Sequence, residues 1–272
     1  MAEPDRGPVP QLRYNGIMWC NGRRSPLDQM VGCQPPGCLC EHCRRESMPR
    51  EIKVELLKKA FLAVRDYFQQ ARAGDVFVDG ALIEFLRVRF ADPELPIWER
   101  FWLERKRDLD RKRYGQFKSR NADLEFCLNV WNRNHFNLFR NAQWPGAEQT
   151  CYVDCVKPIT YQNQLGQVHV KELGDPHKSI LRDFTAQEVT PLIYKMLGLL
   201  EAPWDYLIVA AMDPDTYIHA QCADTVRCIG VMDPVHMGIG VDAPPVLTER
   251  AMCTPDVFYR SVLATCLAGG QG

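Results

Sequence analysis

The chain has 272 residues, 46% apolar and 25% charged, with a formal net charge of −1. That is enough apolar material to bury a substantial core in one or two domains, and it excludes bulk disorder. No apolar run approaches the roughly 18 residues needed to span a bilayer, and the longest, such as Leu207-Ile208-Val209-Ala210-Ala211-Met212, are strand-sized. The near-zero charge hides an asymmetry: residues 1–50 carry seven Lys/Arg against five Asp/Glu, 51–142 carry eighteen against fourteen, and 143–272 carry eight against fifteen. A histone-like polycation is excluded, but the N-terminal half can meet a polyanion, and the acidic C-terminal half suits protein contacts or self-association.

Five of the twelve cysteines, Cys20, Cys33, Cys38, Cys40 and Cys43, fall in the first 43 residues. The Cys40-x-x-Cys43 pair supplies two adjacent thiolates, and Pro35-Pro36-Gly37 turns the chain so that Cys33 or Cys38 can face them. Thiolates so placed are the donor set of one tetrahedral structural zinc ion. The preferred ligands are Cys20, Cys38, Cys40 and Cys43, with Cys33 and His42 as substitutes. Disulfides and plain reduced thiols are the alternatives. The chain opens on Met1-Ala2-Glu3-Pro4-Asp5-Arg6, with no apolar signal stretch, and an odd number of clustered cysteines leaves one over. Zinc in an intracellular protein of cytoplasm or nucleus, not a secreted one, is therefore the expectation. Residues 1–47 hold turn formers and little apolar periodicity, so the metal would supply much of their folding free energy.

Residues 48–142 read as helices. Ile52, Leu56, Leu57, Phe61, Val64, Phe68 and Ala71 recur at steps of three and four, and Gly74 stops the run. A second helix covers 81–90 and halts before Asp92-Pro93. A third, over 95–115, carries the cations Arg100, Arg105, Lys106, Arg107, Arg111, Lys112 and Arg113 beside Trp98, Phe101 and Trp102, and Lys118 and Arg120 follow. A fourth is expected over 121–141. Cations neutralise phosphates and aromatic planes stack unpaired bases, so these nine cations are candidates for docking RNA or another single strand. The bland reading is a solvated face, with the aromatics in the core and Glu104, Asp108 and Asp110 pairing with the cations.

Beyond Pro145-Gly146 the pattern changes. Residues 150–156 and 166–170 read as strands of an antiparallel hairpin, in which Cys151 and Cys155 would share a face as buried small hydrophobes near His169. A helix over 185–201 opens on a Thr185/Glu188 capping box. Strands are expected over 204–212 and 225–232, each closed by Asp-Pro, which is a good strand terminator and only a weak hint of duplication. A last helix, over 254–267, starts on Thr254-Pro255. Asp213, Asp215, His219 and Cys222 follow the first of these strands and are weak candidates for a metal or Cys–His site, against the plainer reading as strand-end loop residues. The sequence lacks a phosphate loop, a complete dinucleotide fingerprint, a nucleophile elbow, a His-Glu-x-x-His motif and the deaminase signature.

The expected architecture is α+β, or mixed α/β: a zinc-stapled segment 1–47, a helical basic-aromatic layer 48–142, and an acidic region 143–272 with a mixed β-sheet and flanking helices. The leading functional expectation is a non-enzymatic intracellular zinc-binding protein that docks nucleic acid, RNA favoured, through its basic half. An adaptor presenting Leu39, Glu41, Arg44 and Arg45 to a protein partner is the alternative, and an enzyme at Asp213, Asp215, His219 and Cys222 is the third reading. A membrane partner is not expected.

Overall fold

A computed structural model describes residues 15–20, 25–130, 138–143, 150–161, 165–197, 214–229, 234–241 and 253–271. The molecule is α+β, predominantly helical with a small parallel sheet.

Helix α1 (Pro26–Val31) starts on Ser25, whose hydroxyl accepts from the Asp28 N–H at 3.3 Å. After it come α2 (Glu41–Ser47) and the long α3 (Val54–Ala73). Leu57, Phe61, Val64, Phe68 and Ala71 of α3 are buried along one stripe. Gly74 ends α3 in the left-handed region (φ 97°), where a glycine has no Cβ to strain. Helix α4 (Ala81–Ala91) is capped from a distance, since the Asp183 carboxylate accepts from the Ala81 N–H at 2.6 Å. Helix α5 (Glu94–Lys118) runs for 25 residues, about 37 Å at 1.5 Å per residue, and serves two cores. Its first turns place Leu95, Trp98 and Phe101 in the main core, with α1, α3, α4 and Leu173, Leu181, Val189 and Ile193. Its last turns place Tyr114 and Phe117 under the sheet.

The sheet has strands β1 (Gly16–Cys20), β2 (Glu125–Val130) and β3 (Cys155–Pro158) in the order β1-β2-β3, all parallel. Residues 1–47, 48–142 and 143–272 each give it one strand. The bridges Val156–Val235 and Ile159–Gly238 extend the pairing beyond β3. Phe126, Leu128, Val130, Val153 and Val156 form the second core, against Trp19 and the end of α5. Helices α6 (Leu138–Gln143), α7 (Leu165–His177) and α8 (Ala186–Leu197) follow, and α9 (Pro214–Ile229) packs against α10 (Pro255–Leu267) through Tyr217, Ile218 and Ala264.

Three expectations are corrected. The helix expected over 121–141 gives way to β2, because a central parallel strand is buried on both faces and reads as the continuous run Phe126-Cys127-Leu128 with no alternation; residues 131–137 lie outside the described residues. Residues 166–170, read as the second arm of a hairpin, belong to helix α7, so β3 finds its partners in parallel strands distant in sequence. The alternation of Val168 and Val170 is too short to specify a strand. The strand expected over 225–232 is helix α9 as far as Ile229; residues 230–233 and 204–212 lie outside the described residues. The helices expected after Met48, at 81–90, at 95–115, after Thr185 and after Thr254 are present. Glu188 accepts from both the backbone N–H and the hydroxyl of Thr185, each at 2.7 Å.

Candidate metal centre

The cysteine module hangs on the main core by two side chains, Leu39 and Cys43, which pack against it from the rim. Its chain path depends on two left-handed turns, at Cys33 (φ 56°) and Gly37 (φ 96°). Gly37 passes the ring edge of Trp102, which would lie 3.8 Å from a Cβ added there. Polar contacts fix α2 to α5: Arg105 pairs with Glu46 at 3.2 Å, and Arg50, just after α2, pairs with Glu104. Within the module, Arg44 Nε donates to the Leu39 carbonyl at 2.9 Å and the Ser47 hydroxyl to the Arg44 carbonyl at 2.8 Å.

This scaffold gathers Cys38, Cys40 and Cys43, whose sulfurs lie within 4.8 Å of one another. The Cys40 and Cys43 sulfurs are 3.7 Å apart, close to the roughly 3.8 Å edge of a ZnS4 tetrahedron built from 2.3 Å bonds. The Cys40 N–H donates to Cys38 Sγ at 3.2 Å. The thiols differ in acidity. The Cys43 backbone N–H, then the Cys38 and Cys43 side chains, draw Cys40 down to about 7. Burial, and then the neighbouring Cys40, push Cys43 up to about 12. Without metal, one sulfur of the trio is therefore half-ionised near neutrality while another keeps its proton, and a cation bound to both must displace that proton. The donor set fits a borderline-soft ion of the zinc class.

Of the preferred ligands, Cys20 ends β1 and is not in this group; it and Cys33 are exposed free thiols. His42, between the two α2-side cysteines, turns its Nδ1 to Arg45 at 3.3 Å. All five N-terminal cysteines are free.

The basic row divides. Arg100 pairs with Glu104 at 3.0 Å, Arg105 with Glu46 and Asp108, Arg111 with Asp108 at 3.4 Å, and Lys118 with Asp154 at 2.7 Å. Lys106 and Arg107 are half-buried. Lys112, Arg113 and Arg120 are exposed and form no ion pair among the described residues. Near them, two guanidinium groups lie over rings: Arg113 over Trp19 and Arg111 over Tyr152, each with Cζ 5.3 Å from the centroid. Trp19 is held in turn by its Nε1–H to Asp110 at 3.1 Å.

Of the weak catalytic candidates, Asp213 lies outside the described residues, and Asp215 is placed only as part of α9. His219 is exposed while Cys222 is fully buried three residues on. Burial pushes the Cys222 thiol up to about 11, which holds it protonated at neutral pH, and its sulfur donates to the Thr265 carbonyl at 3.7 Å. That is the environment of a structural thiol.

Sequence reasoning missed a second cluster. Glu125, Cys127 and Cys155 also bring their ligand atoms within 4.8 Å of one another, and Cys127 and Cys155 are joined as a disulfide with Cα atoms 4.5 Å apart. Cys151, expected to share a buried face with Cys155, is exposed. The spacing Glu125-x-Cys127 puts both side chains on one face of a strand, a signal that a helical reading of 121–141 hides. Compared with known proteins, the chain matches no family model, no curated protein and no solved structure.

Proposed function

We propose that the protein binds one structural zinc ion through Cys38, Cys40 and Cys43, with the fourth ligand from Cys20, Cys33 or His42, and docks RNA or another single strand at the end of α5. The Arg113–Trp19 and Arg111–Tyr152 pairs carry this reading. They offer planar cationic and aromatic surface beside Lys112 and Arg120, which are exposed and form no ion pair among the described residues, the chemistry that neutralises phosphates and stacks bases. The metal module braces the same helix from its other half through Glu46 and Arg50. Arg100, Arg105 and Lys118, which already hold carboxylates, serve the fold in this scheme. In this scheme the chain works in the cytoplasm or nucleus, in a binding role.

Nitrocellulose filter binding to a labelled single-stranded RNA, titrated with salt, tests it. Reversing Lys112, Arg113 and Arg120 to Glu removes three phosphate contacts and should flatten the slope of log K against log salt by about 2. Arg100→Glu should leave the slope unchanged. No retention of RNA at low salt would remove the reading.

A protein-adaptor reading has one observation in its favour. Tyr259, Leu263 and Leu267 recur at steps of four along α10 and are all exposed, Tyr259 at 67%, which suits a protein contact or self-association. Helix α2 also exposes Glu41, Arg44 and Arg45, but Leu39, expected to be presented with them, turns onto the core. Under this reading, Lys112, Arg113 and Arg120 tolerate reversal, while Leu263→Asp abolishes association in sedimentation velocity.

A further inference from the structure

We propose that Glu125, Cys127 and Cys155 form a second thiol centre, holding a disulfide when oxidised and a divalent ion of the zinc class when reduced. The strand register places them. Cys127 of β2 is directly opposite Cys155 of β3, so both sulfurs leave the same face of the sheet. Glu125, two residues before Cys127, is on that face as well, and the three ligand atoms lie within 4.8 Å of one another.

The carboxylate separates this cluster from a plain structural crosslink. A disulfide has no use for an anionic neighbour, whereas two thiolates and a carboxylate are a donor set for a borderline-soft cation. The opposing strand makes room for it. Gly16 is in register with Glu125, and a Cβ at that position would lie 2.9 Å from the Glu125 Cβ and 2.3 Å from its carbonyl oxygen. Cys127 and Cys155 are buried, at 7% and 1% exposure, while Glu125 at the strand end and Met18, in register with Cys127 on the outer strand β1, are exposed. The five N-terminal cysteines are free thiols, the usage of a chain that meets reductants, so the Cys127–Cys155 disulfide is the bond they would open.

Both directions balance. Two molecules of a small thiol such as glutathione reduce the Cys127–Cys155 bond, are themselves joined as a disulfide, and leave two protein thiols. Those thiols release two protons as the divalent ion binds. In the reverse direction, hydrogen peroxide accepts two electrons from the paired thiolates and, with two protons, becomes two waters as the S–S bond forms and the ion leaves. The same two sulfurs cannot serve both states, so oxidation expels the metal.

Cobalt(II) titration of the full chain, followed by thiolate-to-cobalt charge-transfer absorbance, tests this. Reduced wild type should take up one equivalent more than reduced Cys127→Ser or Cys155→Ser. Peroxide should remove that equivalent while peptide mapping shows the Cys127–Cys155 crosslink. Glu125→Gln, at an exposed strand end, leaves both sulfurs in place; even indirect partners of a metal are worth about 10- to 100-fold in affinity, so it should weaken the extra equivalent at least tenfold. It decides the case if the serine variants fail to fold. Cobalt stoichiometry and affinity identical in wild type and Glu125→Gln, before and after reduction, would overturn the proposal.

Discussion

Asp154 shows how much one side chain can organise. Its carboxylate accepts from Lys118 Nζ at 2.7 Å, from the Phe126 N–H at 2.7 Å and from the Tyr114 hydroxyl at 3.2 Å, so it ties the end of α5 to β2 just before β3 begins. Burial alone would raise its pKa, but Lys118, the Phe126 amide and Tyr114 together outweigh burial and hold it below the ordinary value. A depressed carboxyl stabilises the fold above its unfolded pKa, near 3.9, and that contribution is lost as pH falls through the lower folded value. Asp154→Asn should therefore cost about 2 kcal/mol at neutral pH, read from the urea midpoint. The deficit relative to wild type should begin to shrink as the pH falls below about 4, where the unfolded chain takes up its proton, and should vanish only once the pH is below the lower folded value. The cysteines show the same residue-scale logic: Cys40 and Cys43 are three apart on one turn, yet burial and hydrogen bonding put their acidities on opposite sides of the usual thiol value. Because Cys43 must give up its proton to bind metal, affinity for zinc should rise with pH from neutrality upward, as competition with a chromogenic chelator at several pH values would show.

Helix ends are settled here by residues far away in sequence. The first amide of α4 is satisfied by Asp183, 102 positions on, and Glu99 accepts from the Leu27 N–H at 2.8 Å near the start of α1. Asp183→Ala should destabilise the protein by about 1 kcal/mol, the usual worth of a cap, and hydrogen exchange should rise in the first turn of α4 before the rest of that helix. Neither cap is a local motif, so neither was legible from Ser/Thr/Asp placement near the helix start. By contrast, Thr254 and Ser25 cap their own helices, and such caps can be read from the sequence.

Across the whole molecule, α5 links the cysteine module, the main core and the sheet. If the module holds the proposed zinc ion, removing it should leave the main core intact, since the module's apolar contacts with that core, Leu39 and Cys43, are made from the rim. Chelation should therefore lower the melting temperature, as loss of any ligand specific to the native state does. In hydrogen-exchange mass spectrometry, protection should be lost first over residues 33–47, while α3 stays protected. Uniform loss of protection in α3 and residues 33–47 would mean that the module is part of the core rather than an attachment to it. Among the described residues no helix is long and apolar enough to cross a membrane.

The residue pattern by itself determined helix α3, because a buried stripe at 3.6-residue period is a local property that needs no knowledge of what covers it, and the Thr185/Glu188 capping box marked the start of α8. It likewise pointed to the thiol trio, since Cys38, Cys40 and Cys43 are close enough in sequence for one turn and one helix start to gather them. The sheet and its second thiol cluster were decided by tertiary structure alone. A parallel strand finds its partners only after long crossovers, so nothing near Cys127 announces Cys155, 28 residues away, and nothing near Glu125 announces Gly16. Ion pairing divided the basic row in the same way: which cations stay open was fixed by where Glu46 and Asp154 came to rest once the helices had packed.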